Sequence, residues 1–275
     1  MRRKTKRCLS ELPLSRAILN DCYSVIDIHS HVLFGMDDGA PDIEESLAML
    51  RIAAAHGTTD IVGTPHANLE YKFDPALISE CKAQLEKRLG NEIRIHTGCD
   101  FHLQYENIED ALRHPRKYTI AGGPYLLVEF SDLIIFKTTG QIFSDLLGAG
   151  MIPVITHPER NALLQQRLSD LKEWVAMGCA IQVTGQSLEG VWGSRALKFG
   201  ELLMDEELVH VIASDGHDRK RRPPVLDSAY ALVMKKWGEP SAQSLFVKNP
   251  GAILHGEKLN AVPARRKKSF FSFFR

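Results

Sequence analysis

The sequence predicts an α/β domain built on a parallel sheet or barrel, and three observations support this. Short β-rich runs alternate with stretches of helical periodicity from Ser24 almost to the end of the chain, which is the pattern of repeated strand–helix units. The length of 275 residues suits one large domain of this class. A hydrophobic content of 44% with a mean hydropathy of -0.16 supplies a sizeable core. We expect residues 24–258 to form a single domain.

The first strand and helix are clear. The run SVIDIH, residues 24–29, is rich in β-branched residues. Pro41 then opens a helix in which apolar residues recur at helical spacing from Ile43 to Ala54, and Gly57 ends it.

The later elements repeat this alternation. Helix signals are followed by glycine or a polar break, and strand signals are short and apolar. Strands are predicted in TTDIVGTPH, EIRIHTGCDF, YLLVEFS, MIPVITHPER, CAIQVT and LVHVIASDGH, and helices in PALISECKAQLEKRLG, QIFSDLLGAG, LSDLKEWVAMG, SRALKFGELLMDEEL and VLDSAYALVMKKWGEPSAQSLF.

Composition excludes several classes of protein. Lys+Arg and Asp+Glu both number 34, so the charge balance gives no indication of a nucleic-acid partner. Five cysteines, an odd number, lack the spacing of a zinc ribbon or a redox pair. No apolar run is long enough for a signal peptide or a membrane span. We therefore expect reduced thiols and a cytoplasmic protein.

Both ends of the chain are basic. Residues 1–23 are expected to form a flexible basic leader, and residues 259–275 a basic-aromatic tail ending in ARRKKSFFSFFR. Basic charge combined with aromatic side chains could hold the tail at an anionic membrane surface. A disordered tail is the simpler alternative.

Polar residues with ligand chemistry fall where the predicted strands end. His29 and His31 project to the same face of the first strand, so together they can hold one ion. Asp37 and Asp38 follow in the next loop. Five later strands end in further residues of this kind, which are His66, Asp100, Glu129, His157, Asp215 and His217.

These strand ends predict a metal centre. In a β/α barrel the carboxyl ends of the strands form the rim where sites are assembled. A single histidine there is more often a hydrogen-bonded structural residue, but so many histidines and carboxylates together would be costly without cations. The mixed ligand set suits manganese, iron, zinc or nickel better than calcium. The number of ligands implies more than one ion, with Glu129 and Asp215 placed to bridge.

The ordered motifs DIHSHVLFGMDDG, TPH, LVEFS, THPER and ASDGHD followed by RPP resemble the PHP (polymerase and histidinol phosphatase) superfamily. Within it, they are most similar to the bacterial protein-tyrosine phosphatases encoded with capsule and exopolysaccharide genes. The similarity runs from about Val25 to about Gly256. It implies a single-domain, distorted (β/α)7 TIM-like barrel.

The resemblance also implies a metal-dependent active site, usually with three manganese ions; iron, zinc, magnesium and nickel are alternatives. The implied ligands are His29, His31, Asp38, His66, Asp100, Glu129, His157, Asp215 and His217. Asp38 is preferred to Asp37 because it directly precedes Gly39. Relatives often have glutamate in place of Asp100, and His102, two residues on, is a rival ligand.

The expected reaction is hydrolysis of phosphotyrosine by a metal-activated hydroxide. Arg160 and Arg222 are the expected catalytic guanidinium groups, since arginine's planar fork suits phosphate; Arg221 is an alternative to Arg222. The resemblance implies a membrane tyrosine kinase of polysaccharide export as the phosphotyrosine-bearing partner, and homo-oligomers occur among relatives.

Other functions remain open on the sequence. One is a PHP phosphoesterase for a small metabolite such as histidinol phosphate. A nuclease or polymerase-associated module is disfavoured by the neutral charge, and a non-catalytic scaffold by the complete ligand set. Gln186 or Ser187, in VTGQSL, could line the substrate opening or belong to a plain barrel turn.

Overall fold

The computed structural model describes residues 24–260. The predicted leader, residues 1–23, lies outside the described residues, as does almost all of the tail, from residue 261 onward. The proposed membrane contact of that tail falls there too.

Nine strands, all paired in parallel, form two sheets in the described chain. One sheet has the order β1-β2-β4 and the other β3-β5-β6-β7-β8-β9. The strands are β1 (Val25–Ser30), β2 (Thr58–Gly63), β3 (His66–Ala67), β4 (Arg94–Thr97), β5 (Asp100–His102), β6 (Tyr125–Glu129), β7 (Ile152–Thr156), β8 (Ala180–Thr184) and β9 (Val211–Ala213).

Helices connect most successive strands, as expected of parallel β–α units, but none lies between β2 and β3 or between β4 and β5. They are α1 (Ile43–Ala55), α2 (Pro75–Leu89), α3 (Tyr105–Arg113), α4 (Thr139–Gly148), α5 (Leu168–Met177), α6 (Gly185–Leu188), α7 (Gly193–Asp205), α8 (Asp227–Trp237), α9 (Glu239–Gln243) and α10 (Asn249–His255). Short 3-10 turns lie at Ile120–Gly122 and Leu164–Gln166, and a π-helical turn lies at Ser244–Lys248.

The first strand lies beside the last. His31 N donates to Gly216 O at 2.8 Å, and Asp215 N donates to His29 O at 2.9 Å. The buried Asp27 carboxylate reinforces this contact, because it accepts hydrogen bonds from the backbone N–H and the hydroxyl of Ser214. Segments nearly two hundred residues apart in sequence therefore meet here.

Most of the strands are largely buried, as parallel strands covered by helices usually are, and β4, where Arg94 is exposed, is an exception. One apolar cluster lies between the strands themselves and includes Ile28, Val62, Leu127, Val154 and Val211. Two larger clusters pack the outward strand faces against the helices. This packing fixes the positions of the strand ends that carry the polar side chains.

Several boundaries differ from the sequence prediction. TTDIVGTPH is interrupted at Thr64 and Pro65, where a proline cannot donate to the ladder, and EIRIHTGCDF is interrupted at Gly98 and Cys99. Helix α1 begins at Ile43 rather than Pro41, because the Asp42 side chain caps it by accepting from Glu45 N at 2.9 Å. Helix α3 was not predicted.

Three of the five cysteines lie among the described residues. Cys81, Cys99 and Cys179 are buried free thiols, and Cys8 and Cys22 lie outside the described residues. Among residues 24–260, no helix combines the length and the apolar character needed to cross a bilayer.

Candidate metal centre

Ten side chains with metal-ligand chemistry converge at the carboxyl ends of the strands. They form four overlapping groups, and within each group one ligand atom per residue lies within 4.8 Å of the others. The groups contain all nine predicted ligands, together with the predicted rival His102. The four groups are His31/Asp38/His66/His217, His66/Asp100/His102/Glu129, His29/His31/Asp100 and His29/His157/Asp215.

The first group joins the loop after β1 to β3 and to the turn after β9. His66 Nε2 lies 3.4 Å from Asp38 Oδ1, and His217 Nε2 lies 3.5 Å from the same oxygen. The His31 and His217 rings lie 3.8 Å apart between centroids. Asp38 is half exposed, so this side of the cluster opens to solvent.

The second group is set by strand register. His66 pairs with Asp100 across β3 and β5, and His102 pairs with Glu129 across β5 and β6. His66 Nδ1 lies 3.2 Å from Asp100 Oδ2 and 3.3 Å from Glu129 Oε2, which His102 Nε2 also contacts. The structure therefore brings both Asp100 and His102 into the cluster rather than one of them.

The deepest group contains His29, His157 and Asp215. His29 Nε2 lies 3.5 Å from both Asp100 Oδ2 and Asp215 Oδ1. His157 and Asp215 follow their strands with positive φ angles of 32° and 52°. A positive φ is unfavourable for residues other than glycine. The surrounding fold therefore holds both residues in a strained turn that directs their side chains inward.

Unpartnered polar atoms indicate that the cluster suits cations. Five buried atoms of the second group have no hydrogen-bond partner, although they face one another: His66 Nδ1, both Asp100 oxygens, His102 Nε2 and Glu129 Oε2. Buried polar atoms are normally satisfied, because leaving them unpaired is costly. A divalent ion among them would satisfy carboxylate and imidazole donors at once, so these residues fit a metal ion.

Two further residues orient the histidines from outside. Asp37 Oδ2 lies 2.6 Å from His31 Nδ1 and accepts from His66 N at 3.0 Å. Gln182 Oε1 lies 3.0 Å from His29 Nδ1. Such contacts fix the ring so that Nε2 faces the centre. Asp37 thus lies behind His31, while Asp38 faces the cluster. The sequence analysis missed Gln182 as an orienting residue, although a glutamine inside the apolar run CAIQVT was a signal.

The electrostatics of the side chains follow from this crowding. Burial opposes the charged form of His31, but Asp37 and Asp215 raise its pKa to about 9. Burial likewise opposes ionisation of Asp100, yet His29 and His66 hold its pKa well below the usual range. Burial and the Arg160 charge lower the pKa of His157 to about 3. For Asp100 the lowered pKa favours the ionised form, which is the form that binds cations.

Two arginines lie at the edge of the cluster. Arg160 donates from Nη1 to Asp215 Oδ2, and Arg222 donates from Nη2 to the same oxygen at 2.7 Å. The Trp192 ring lies 4.3 Å from Arg160 Cζ and 5.1 Å from Arg222 Cζ. Arg221 is exposed, and its backbone N–H donates to Asp218. Of the two alternatives, the structure brings Arg222 to the cluster.

A cavity of about 200 Å³ opens beside Arg160, and His157, Asn161 and Trp192 also line it. Arg160 has five N–H donors and uses one on Asp215, so others remain for an anion in this cavity. Ser187, in contrast, is buried and donates to Glu159 Oε1 at 2.7 Å, at the turn after β8.

Comparison with known proteins gives consistent similarities. The sequence profile of a family described as capsular polysaccharide synthesis, CpsB/CapC, matches residues 25–255. The tyrosine-protein phosphatase YwqE of Bacillus subtilis (strain 168) is 34% identical over 256 residues, which cover 91% of this chain and 100% of YwqE. The tyrosine-protein phosphatase CpsB of Streptococcus pneumoniae is 31% identical over 244 residues, which cover 84% and 98% of the two chains.

Solved structures are also similar to this chain. A crystal structure from work on YwqE of Bacillus subtilis and CpsB of Streptococcus pneumoniae, described as unique metal-dependent tyrosine phosphatases, superposes with a TM-score of 0.81 at 33% identity. It covers 88% of this chain and 100% of that one. The phosphotriesterase homology protein of Escherichia coli, at 9% identity and a TM-score of 0.55, covering 84% and 98%, shares the fold alone.

Proposed function

This chain belongs to the CpsB/CapC family of capsular polysaccharide synthesis proteins, and we propose that it is a metal-dependent protein-tyrosine phosphatase. The observation that carries the proposal is the cluster of ten ligand side chains with two arginines at its edge. Relatives named as tyrosine-protein phosphatases, at 31–34% identity over most of the chain, support the same activity.

The four groups would hold the ions through His29, His31, Asp38, His66, Asp100, Glu129, His157, Asp215 and His217, with His102 as a further ligand. When bound, divalent cations lower the pKa of water toward neutrality and neutralise charge on phosphoryl oxygens. We propose three ions with manganese as the native metal, on the strength of the family resemblance. The half-exposed Asp38 marks the side from which solvent and substrate reach the site.

The arginines bind and orient the phosphoryl group. Their shared contact with Asp215 aims both guanidinium groups at one region, and the Trp192 ring packs against both. Charge developing on the phosphoryl oxygens during transfer is stabilised by such preorganised donors. A phenolate leaves more readily than an alkoxide, so phosphotyrosine needs little help from a general acid.

The fold that carries the site is proposed to be a closed, distorted (β/α)7 barrel within a single domain over residues 24–258. Two observations support it. β2 and β3 follow one another across Thr64–Pro65, and β4 and β5 across Gly98–Cys99, so nine strands occupy seven positions. The hydrogen bonds between β1 and the turn after β9 join the first position to the last.

The physiological substrate is proposed to be a membrane tyrosine kinase of polysaccharide export, dephosphorylated in the cytoplasm. This partner rests on the family alone. The phosphorylated tyrosine must be part of a protein segment that can reach the strand-end rim.

The test is phosphate release from a phosphotyrosyl peptide by metal-stripped protein, by protein resupplied with Mn²⁺, and by a His29→Ala, His31→Ala variant. We expect activity to return with Mn²⁺ and to be absent from the variant. Histidinol phosphate is assayed in parallel. Turnover of histidinol phosphate in preference to the peptide would contradict the proposal.

A further inference from the structure

A groove of about 640 Å³ lies beside the metal centre at the ends of β3, β5 and β6. His102 and Glu129 belong both to its wall and to the candidate metal centre. Glu129, Phe130 and Asp132 line both this groove and the smaller cavity that holds Arg160. A group bound at the arginines therefore has a direct path into the groove. We call it the rim groove.

The rim groove is unusually apolar for an exposed surface. Ten large hydrophobic side chains are exposed among residues 24–260, and five of them line this groove. Leu133 is 91% exposed, Leu69 is 89% exposed and Tyr105 is 73% exposed; the other two are Ile134 and Phe136. They follow the neighbouring strands β3, β5 and β6, in two loops and at the start of α3, so they form one surface. Clustered exposed apolar side chains mark binding surfaces, whereas scattered ones do not.

Acidic side chains accompany this apolar surface. Glu70, Glu106 and Asp132 line the rim groove, and all three are exposed. The adjoining cavity instead presents the Arg160 guanidinium. Glu129 and Asp132 line both recesses, but only the adjoining cavity offers a guanidinium to an anion, whereas the rim groove adds Glu70 and Glu106, which favour basic groups.

We propose that the rim groove binds the residues flanking phosphotyrosine in a protein substrate, with a preference for apolar and basic flanks; this rests on the proposed function. The phosphate is directed to the arginine side, and the flanking chain crosses Glu129 into the groove. A small metabolite phosphate could fill the arginine cavity but has no chain to cover Leu133, Ile134 or Leu69. The groove therefore selects for protein substrates.

The experiment compares three substrates with wild-type protein in Mn²⁺. One is a phosphotyrosyl peptide with leucine, isoleucine and lysine around the phosphotyrosine. The second has serine at the apolar positions, and the third is p-nitrophenyl phosphate. The groove variant is Leu133→Ser, Ile134→Ser. The matched control is Leu77→Ser, because Leu77 is also an exposed leucine, at 52%, and lies on α2 away from the groove.

We expect the groove variant to lower kcat/KM for the apolar peptide about tenfold, mainly through KM, since partial burial of two aliphatic side chains is lost. The serine peptide should already be poor with wild type and should lose little further in the variant. This non-additivity identifies contact between the flank and the groove. Turnover of p-nitrophenyl phosphate should change less than twofold in both variants, and Leu77→Ser should behave as wild type throughout.

Equal losses on the apolar and serine peptides, or a matching loss on p-nitrophenyl phosphate, would overturn the inference. An unchanged groove variant would overturn it as well while leaving the proposed function intact. Replacing the flanking lysines by glutamate should lower kcat/KM in wild type; an increase would contradict the proposed charge preference. Wild-type protein inactive on every phosphotyrosyl peptide would instead contradict the proposed function itself.

Discussion

Individual side chains behind the candidate ligands should control metal affinity. Asp37 holds His31 Nδ1 at 2.6 Å, and asparagine in its place would keep the shape but remove the charge. We expect Asp37→Asn to weaken metal binding roughly 10–100-fold, as for other residues that orient ligand histidines. Metal titration by calorimetry checks this.

The chain offers a matched control for that change. His56 Nδ1 lies 2.7 Å from Asp227 Oδ2, which is the same kind of pair on the surface. Asp227→Asn should leave metal affinity unchanged. Equal affinities of the Asp37→Asn variant and the wild type would show that Asp37 does not orient His31.

The two neighbouring arginines allow a second residue-scale prediction. Arg222→Gln should lower kcat/KM for a phosphotyrosyl peptide about 10²-fold, the typical effect of losing one preorganised donor, with metal content unchanged. Arg221→Gln should stay within about twofold, because Arg221 is exposed and only its backbone is engaged. Steady-state kinetics on both variants distinguishes them. A larger loss in the Arg221 variant would reverse the assignment.

At this scale the sequence predicted much of the site. Strand alternation and the polar residues at strand ends selected eight of the ten side chains that the structure brings together, whereas Asp38, in the loop after β1, was selected through the family resemblance. Alternation could not choose between Asp100 and His102, because both project from β5 toward the cluster. Trp192 was missed, since it packs on arginines that are distant in sequence and no periodicity relates them.

Among the elements, the loop after β1 depends on one glycine. A Cβ at Gly39 would lie 2.2 Å from His31 O and 2.5 Å from His31 Cβ, so the backbone would have to move. We expect Gly39→Ala to reduce the free energy of unfolding by about 2 to 4 kcal/mol. Urea unfolding measures this loss.

Gly148, at the end of α4, provides the comparison. A Cβ there meets nothing within 4 Å. Gly148→Ala should leave stability unchanged or raise it by up to about 1 kcal/mol. Similar stability of the two variants would show that the loop after β1 tolerates a side chain at Gly39.

The pairing of β2 with β4 should depend on pH. Asp60 on β2 accepts two hydrogen bonds from Arg94 on β4. His96 Nε2 also lies 3.0 Å from Asp60 Oδ1. Burial opposes ionisation of Asp60, but these partners lower its pKa below the usual 3.8. The stabilisation that these contacts give the folded state is therefore complete above the pKa of Asp60 in the unfolded chain. It is lost as the pH falls through the lower pKa of Asp60 in the folded protein.

The corresponding variant is Asp60→Asn. It should be less stable than wild type by about 1 kcal/mol at pH 7, because Arg94 is largely exposed and the pair is screened. The difference should shrink as the pH is lowered from 4 toward 2. Urea unfolding across this range measures it, and a difference that grows on acidification would contradict the assignment.

The prediction of helices and strands from the sequence failed where a helix is only slightly buried and where the hydrogen bonding between strands is interrupted. Helix α3 was missed although Tyr105, Ile108 and Leu112 recur at helical spacing; the helix is short, and Ala111 alone among its residues is buried. The interruptions at Pro65 and Gly98 arise where the chain changes from one sheet to the other. Repeated strand–helix units, in contrast, were recognisable because most of the strands are short, apolar and largely buried.

For the whole molecule, metal binding should stabilise the native state. Ligands that converge from both ends of the chain bind an ion only when folded, so saturation at about 100 times Kd adds about 2.7 kcal/mol. For a domain of this size that raises Tm by roughly 5–10 °C. Calorimetric scans with and without chelator test this. The His29→Ala, His31→Ala variant should show no metal-dependent shift.

The adjacency of the first and last strands also has a consequence for biosynthesis. His29 and His31 leave the ribosome early, whereas Asp215 and His217 emerge nearly two hundred residues later. The hydrogen bonds that join these segments can form only once the turn after β9 has been translated. A nascent chain stalled before that point, or a product of premature termination, lacks Asp215 of the deepest ligand group and His217 of the first group. The complete ligand cluster can therefore assemble only after that turn has left the ribosome.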